Sequence, residues 1–125
     1  MAKNKRTAFF ISDGTGITAG SLGGLLAHFP ETEFDQIRIP FTDSIEKVED
    51  AQKRVANIKM MTGSRPIVIM SIGNEILRKE LKAVDAYYID LFDSFIHPLG
   101  VELNEPALTR PGVSHSIKTN QNGSR

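Results

Sequence analysis

Cysteine is absent from this chain, which excludes disulfides, thiolate nucleophiles and Cys-based zinc or iron–sulfur sites. Its absence also fits a reducing compartment. Tryptophan is missing too, and Tyr87 and Tyr88 are the only tyrosines, so a flavin ring would find few stacking partners. An excess charge of either sign is lacking: 15 Lys and Arg balance 15 Asp and Glu. A neutral domain without a basic stripe sets up no long-range field for nucleic acid, and no nucleic-acid partner is expected. Long apolar runs are lacking as well. Behind the basic Lys3, Lys5 and Arg6, the run Ala8–Ile11 stops at Ser12-Asp13-Gly14, too short for a signal-peptide core or a membrane span. The expectation is a cytoplasmic protein with no membrane partner. No GxxxxGK[ST] segment occurs anywhere in the chain.

What is present is enough for one core. Forty per cent of the 125 residues are apolar, and a domain of this size buries roughly two-thirds of the surface its unfolded chain exposes. Residues 1–110 read as one α/β domain and 111–125 as a loop and frayed polar tail.

Apolar runs alternate with helical spacings. Thr7–Ser12 and Pro66–Ile72 are continuous apolar runs of the kind buried on both faces of a parallel sheet. Phe34–Phe41 alternates instead, with Ile37, Ile39 and Phe41 against Arg38 and Pro40, which suits an edge strand. Ala86–Leu91 makes a fourth strand. Between them, Ile17, Leu22, Leu25, Leu26 and Phe29 space a helix that Thr15 could cap and that Gly20, Gly23 and Gly24 weaken. Close packing against a neighbour would account for these glycines. Asp43 or Ser44 opens a second helix with Val48, Ala51, Val55 and Ile58 on one face, ended by Gly63. Asn74 caps a third, with Leu77, Leu81 and Val84 inward. A last helical stretch carries Leu91, Phe95 and Leu99 and is interrupted by Pro98. The order βαβαβαβα implies a three-layer parallel sheet of about four strands, helices on both faces, in the flavodoxin-like order 2-1-3-4.

In such a sheet, ligands bind beyond the carboxyl ends of the strands, where the strand order reverses. Here that is between the first and third strands. The loop after strand one, Ser12-Asp13-Gly14-Thr15-Gly16-Ile17-Thr18, has two glycines that let the backbone approach a ligand, amides at a helix start, and hydroxyls on Ser12, Thr15 and Thr18. Asp13 would repel a phosphate unless it binds a metal, takes a proton or points away. Ser71, Gly73 and Asn74, after strand three, should face this loop. These residues are the phosphate- or nucleotide-binding candidates; the plainer reading is a glycine turn that only joins strand to helix. Asp90 and Asp93, with Asp85 before them, could hold magnesium or act as a base, or could simply cap a helix. His28 and His97 read as structural, Met60-Met61 as core or helix end. His115, in the loop-like Pro111–His115, is the histidine best placed for chemistry.

Thr15-Gly16-Ile17-Thr18 is similar to the phosphate loop of flavodoxins. The longer stretch Arg6-Thr7-Ala8-Phe9-Phe10-Ile11-Ser12-Asp13-Gly14-Thr15-Gly16-Ile17-Thr18-Ala19 resembles the opening of the phosphoenolpyruvate synthase/pyruvate, phosphate dikinase regulatory proteins. The resemblance continues through Leu25–Phe29, Ile39-Pro40-Phe41, Asp90–Ile96 and Gly112-Val113-Ser114-His115. It implies a bifunctional enzyme: an ADP-dependent serine/threonine kinase that inactivates the synthase or dikinase at a threonine, and a phosphate-dependent pyrophosphorylase that restores it. ADP and inorganic phosphate would be substrates, magnesium a candidate cofactor, and the synthase or dikinase the protein partner; a homo-oligomer is compatible with this. Asp13 and His115 are the catalytic candidates. Two departures stand out. Gly20 occupies a position where the family usually has glutamate, and the chain ends before the family's Gly-Lys-Thr/Ser P-loop, so these residues alone are expected to be inactive. The competing readings are a flavodoxin-like FMN electron carrier and a non-catalytic partner-binding domain.

Overall fold

The computed structural model describes residues 4–110. Four strands, β1 (Asn4–Ser12), β2 (Thr32–Ile39), β3 (Ile67–Ser71) and β4 (Tyr87–Asp90), form one parallel sheet in the order β2-β1-β3-β4. This is the flavodoxin-like order, reached for the reason the hydrophobic pattern gives. β1 and β3, the continuous runs, are central, and the alternating β2 lies at an edge.

Period-two alternation splits β1 between two cores. Phe9 and Ile11 join Val68, Met70 and Ile72 under α2 (Ile45–Thr62) and α3 (Glu75–Leu81), which contribute Val48, Ala51, Val55, Leu77 and Leu81. Ala8 and Phe10 join Ile69, Ala19 and Leu91 on the other face, with Leu22, Leu26, Phe34, Ile67 and Ile89 at the margin. The result is three layers. Ser44 caps α2 by accepting from Lys47 N–H (3.3 Å), and Asn74 caps α3 by accepting from Leu77 N–H (3.0 Å). Gly63 ends α2 at φ 74°, a left-handed conformation that costs glycine little.

Expectations for the first and last helices need correction. The first helix is α-helical only over α1 (Ile17–Gly20) and continues as a 3₁₀ segment, Ser21–His28, with no buried residue. Its cap position is Gly16 at φ 88°, one residue beyond Thr15. The glycines of this stretch are not demanded by crowding: a Cβ on Gly24 would meet nothing within 4 Å, and one on Gly20 or Gly23 would make ordinary contacts at 3.7 and 3.4 Å. Pro98 does not interrupt a helix. A π-helical turn, Phe92–Ile96, leads without a break into α4 (His97–Leu103), and the helical stretch runs on through Pro98 in the first turn of α4. Met60 and Met61 lie exposed in the last turn of α2 (84% and 73%), which is the helix-end reading rather than the core one. Among the described residues, no helix is long and apolar enough to cross a membrane.

Candidate functional site

Parallel pairing in register brings Ser12 beside Ser71 at the ends of β1 and β3, so the two candidate loops do meet. Asp13 joins them twice. Its N–H donates to Ser71 O (3.1 Å), and its carboxylate accepts the Gly73 N–H (2.8 Å). The carboxylate therefore turns toward the second loop. Burial raises its pKa above the ordinary carboxylate value, against the lowering effect of the Gly73 and Asp13 amides; Asp43 adds to the rise.

The rest of the first loop divides into an inner and an outer part. In the inner part, Ser12 Oγ accepts Gly14 N–H (3.0 Å), Ser12 O accepts Thr42 N–H (2.8 Å), and Gly14 O accepts Phe41 N–H (2.7 Å). The segment after β2 is thus fastened onto the loop. Pro40, which has no N–H to give, ends β2, and Phe41 adopts φ 58°, an unusual conformation for a bulky residue, with its ring half exposed. The outer part, Thr15–Thr18, turns through the left-handed Gly16 into α1. Thr15 and Ile17 are exposed; Gly16 O accepts Gly20 N–H (2.8 Å).

The pattern of the sequence assigned Arg38 no role. β2 alternation and the Phe10–Arg38 pairing put Arg38 on the α1 face. There its guanidinium lies 3.7 Å from where a Cβ would stand on either Gly16 or Gly20. Phe10, Ile17, Gly20, Ser21, Gln36 and Arg38 line a cleft of about 420 Å³ beside the loop. The legible signal was the parallel register, which places the end of an edge strand next to the loop of its neighbour.

The second loop is largely occupied by structural bonds. Gly73 N–H is taken by Asp13, and Gly73 O accepts from Arg78 Nη1 (3.0 Å). The Asn74 side chain is the α3 cap, and a Cβ on Gly73 would run into the Thr109 carbonyl. Ser71 is buried. Of the candidates, Thr15, Gly16 and Thr18 form the outer part of the loop, Gly16 itself being buried; Ser12 and Gly14 are bonded in the inner part, and Ser71, Gly73 and Asn74 support the loop from behind.

Asp90 and Asp93 belong to an ion-pair cluster. Asp90, buried, lies 3.5 Å from Arg78 Nε and 2.6 Å from Lys82 Nζ; Asp93 lies 2.7 Å from Lys82 Nζ and 3.9 Å from Arg78 Nη2. Asp90 Oδ1 also accepts Phe92 N–H (2.9 Å), the local capping bond. Burial pushes the Lys82 pKa down, but hydrogen bonds and charge from Asp90 and Asp93 outweigh it and hold the ammonium above its usual value. Lys82 in turn holds Asp93 below the carboxylate range. No group of three or more His, Asp or Glu able to hold a metal occurs among the described residues. Asp85 pairs with Lys59. His28 Nδ1 lies 3.3 Å from Leu25 O, and His97 Nδ1 lies 3.7 Å from Asp93. His115 and the tail 111–125 fall outside the described residues.

The profile of a kinase/pyrophosphorylase family matches residues 8–124. A protein of Methylobacillus flagellatus is 50% identical over 116 residues, covering 93% of this chain and 43% of that protein. One from Hahella chejuensis is 43% identical over 122 residues, covering 97% of this chain and 45% of its own length. One from Marinobacter nauticus is 43% identical over 114 residues, covering 90% of this chain and 42% of its own. All three are provisionally named phosphoenolpyruvate synthase regulatory proteins. The chain spans less than half the length of these curated relatives.

Proposed function

The chain belongs to the kinase/pyrophosphorylase family, and on that premise we propose that it is the N-terminal portion of a bifunctional regulator of phosphoenolpyruvate synthase or pyruvate, phosphate dikinase. The forward reaction is ADP-dependent phosphorylation of a threonine on the target. The reverse is phosphorolysis by inorganic phosphate, releasing pyrophosphate. Within this scheme the outer part of the loop, Thr15 to Thr18, contacts a phosphate of ADP, phosphate or pyrophosphate.

One observation carries this reading. Arg38 rests beside Gly16 and Gly20, so the loop has a cationic side chain although no lysine follows its glycines. Asp13, the residue that would repel an anion, is turned onto the Gly73 amide instead. The loop's glycines and hydroxyls supply close approach and donors; Arg38 supplies charge. Phosphoryl transfer depends mainly on positioning and on neutralising charge, so a complete site needs further cationic groups or magnesium. These 125 residues contain no GxxxxGK[ST] segment, and they act here as one wall of the site rather than the whole of it.

Association with the target tests the regulatory part. Phosphoenolpyruvate synthase and the dikinase are each mixed with the chain, with and without ADP, and complex formation is measured by sedimentation. Association with one of them, changed by ADP, supports the proposal. No association with either under any condition removes its protein-substrate half.

A further inference from the structure

Arg78 is almost fully buried in α3, outside the glycine loop itself, and no sequence motif singled it out. Its side chain is fixed on three sides. Nε faces Asp90 Oδ2 at 3.5 Å, Nη1 donates to Gly73 O (3.0 Å) and reaches Ile72 O at 3.4 Å, and its guanidinium lies 5.4 Å from the centre of the Phe92 ring. Each contact is to a different element: the end of β4, the loop after β3, and the π-helical turn.

From Gly73 the contacts continue. Its carbonyl is held by Arg78 and its N–H by the Asp13 carboxylate, so the two ends of one residue's polar backbone are both fixed. Asp13 N–H is held by Ser71 O. An unbroken series therefore runs from Asp90 through Arg78 and Gly73 to Asp13, in the middle of the glycine loop. Cost decides that it matters. A buried guanidinium is retained only where carboxylate and carbonyl partners offset its desolvation, and here two of those partners are the carbonyls of the loop that Asp13 grips.

We propose that Arg78 is a positioning residue for the glycine loop: by clamping the Ile72 and Gly73 carbonyls it aims the Gly73 N–H at Asp13, which keeps the Asp13 carboxylate turned away from the anion-facing side of the loop. The inference rests on the phosphate-contact reading of that loop for its functional meaning, though the positioning itself is tested without any ligand. Loss of the clamp frees Gly73 to rotate, and Asp13 loses its main amide donor. The carboxylate then swings toward the loop and opposes an incoming phosphate.

The test uses the whole chain and the variant Arg78→Lys, which keeps a charge but lacks the planar guanidinium whose Nε faces Asp90 while its Nη1 reaches the Ile72 and Gly73 carbonyls. Carboxyl-detected NMR follows the titration of Asp13, whose charged form is also destabilised by burial and by Asp43. Amide hydrogen exchange follows Gly73. The expected result is an Asp13 titration displaced to higher pH in the variant, and Gly73 exchange faster by about tenfold or more. A folded variant in which both are unchanged overturns the proposal. If Arg78→Lys does not fold, the unaltered chain decides. Comparable protection of Gly73 N–H and Arg78 Nε–H supports the clamp, and protection differing by more than about tenfold overturns it. Inorganic phosphate is titrated in parallel. Weaker binding by the variant extends the result to the site, whereas no binding by the unaltered chain counts against the phosphate-contact reading and leaves the Asp13 and Gly73 readouts to judge the clamp.

Discussion

Replacing Ile69 with aspartate should unfold this domain, while the same change at Arg38 should be mild. Ile69 is fully buried in β3, paired with Phe10 on β1 and Ile89 on β4. Its cluster is Ala8, Phe10, Ala19 and Leu91, with Leu22, Leu26, Phe34, Ile67 and Ile89 at the margin. Removing the isoleucine forfeits about 1.5–3 kcal/mol of burial. Placing a carboxylate there adds a desolvation cost of several kcal/mol, whether it stays charged or takes a proton. The sum is comparable to the whole stability of a typical domain, about 5–15 kcal/mol. Arg38 is exposed on the edge strand, where a substitution costs about 0.5 kcal/mol or less. Urea denaturation followed by circular dichroism measures both variants against the parent. An Ile69→Asp midpoint close to the parent's would refute the central placement of β3, and the crevice between β1 and β3 with it.

Gly20 has right-handed helical dihedrals, φ −62° and ψ −30°, so Gly20→Ala should stabilise by about 0.5–1 kcal/mol in thermal melts. Gly20→Glu should keep that gain, add no more than about 1 kcal/mol from pairing with Arg38, and weaken phosphate binding by occupying the guanidinium. A rise in phosphate affinity would contradict the role given to Arg38. The 125 residues alone should transfer no labelled phosphate from ADP to phosphoenolpyruvate synthase or the dikinase, and detectable transfer would disprove the one-wall reading. Tyr88 donates its hydroxyl to Leu81 O (2.8 Å) or Val84 O (2.6 Å), and burial pushes its pKa from 10.0 up to about 12. The unfolded chain thus loses this proton at lower pH than the fold does. Stability should fall as pH rises from 10 toward about 12, and Tyr88→Phe should flatten that fall, as read from melts across the range.

The sheet was legible because its information is local. Continuous apolar runs marked β1 and β3 as central, and the alternation in Phe34–Phe41 marked an edge. Ser44, Asn74 and Gly63 were legible as helix ends because caps are set by one or two residues. What escaped depends on contacts made across the fold. Arg78 meets Asp90, and Lys82 meets both Asp90 and Asp93, only because the fold brings these α3-side cations to the end of β4 and the π-helical turn. Thus two carboxylates that read as metal candidates lie in ion pairs. Asp13 could not be oriented before the Gly73 amide was seen beside it. The 3₁₀ stretch after α1 and the π-helical turn before α4 depart from a 3.6-residue period while keeping similar apolar spacing, so periodicity took both for α-helix.

Whether the outer loop binds phosphate is the question on which the functional account turns, and Gly16 is the residue to ask it with. At φ 88° a valine at this position is strained. Inorganic phosphate, pyrophosphate and ADP are titrated calorimetrically into the parent and Gly16→Val, with thermal melts to establish that both are folded. The account predicts saturable binding of at least one of them by the parent and binding weaker by about tenfold or more, some 1.4 kcal/mol, in the variant. Equal affinities in two folded proteins, or no binding by the parent, would contradict it.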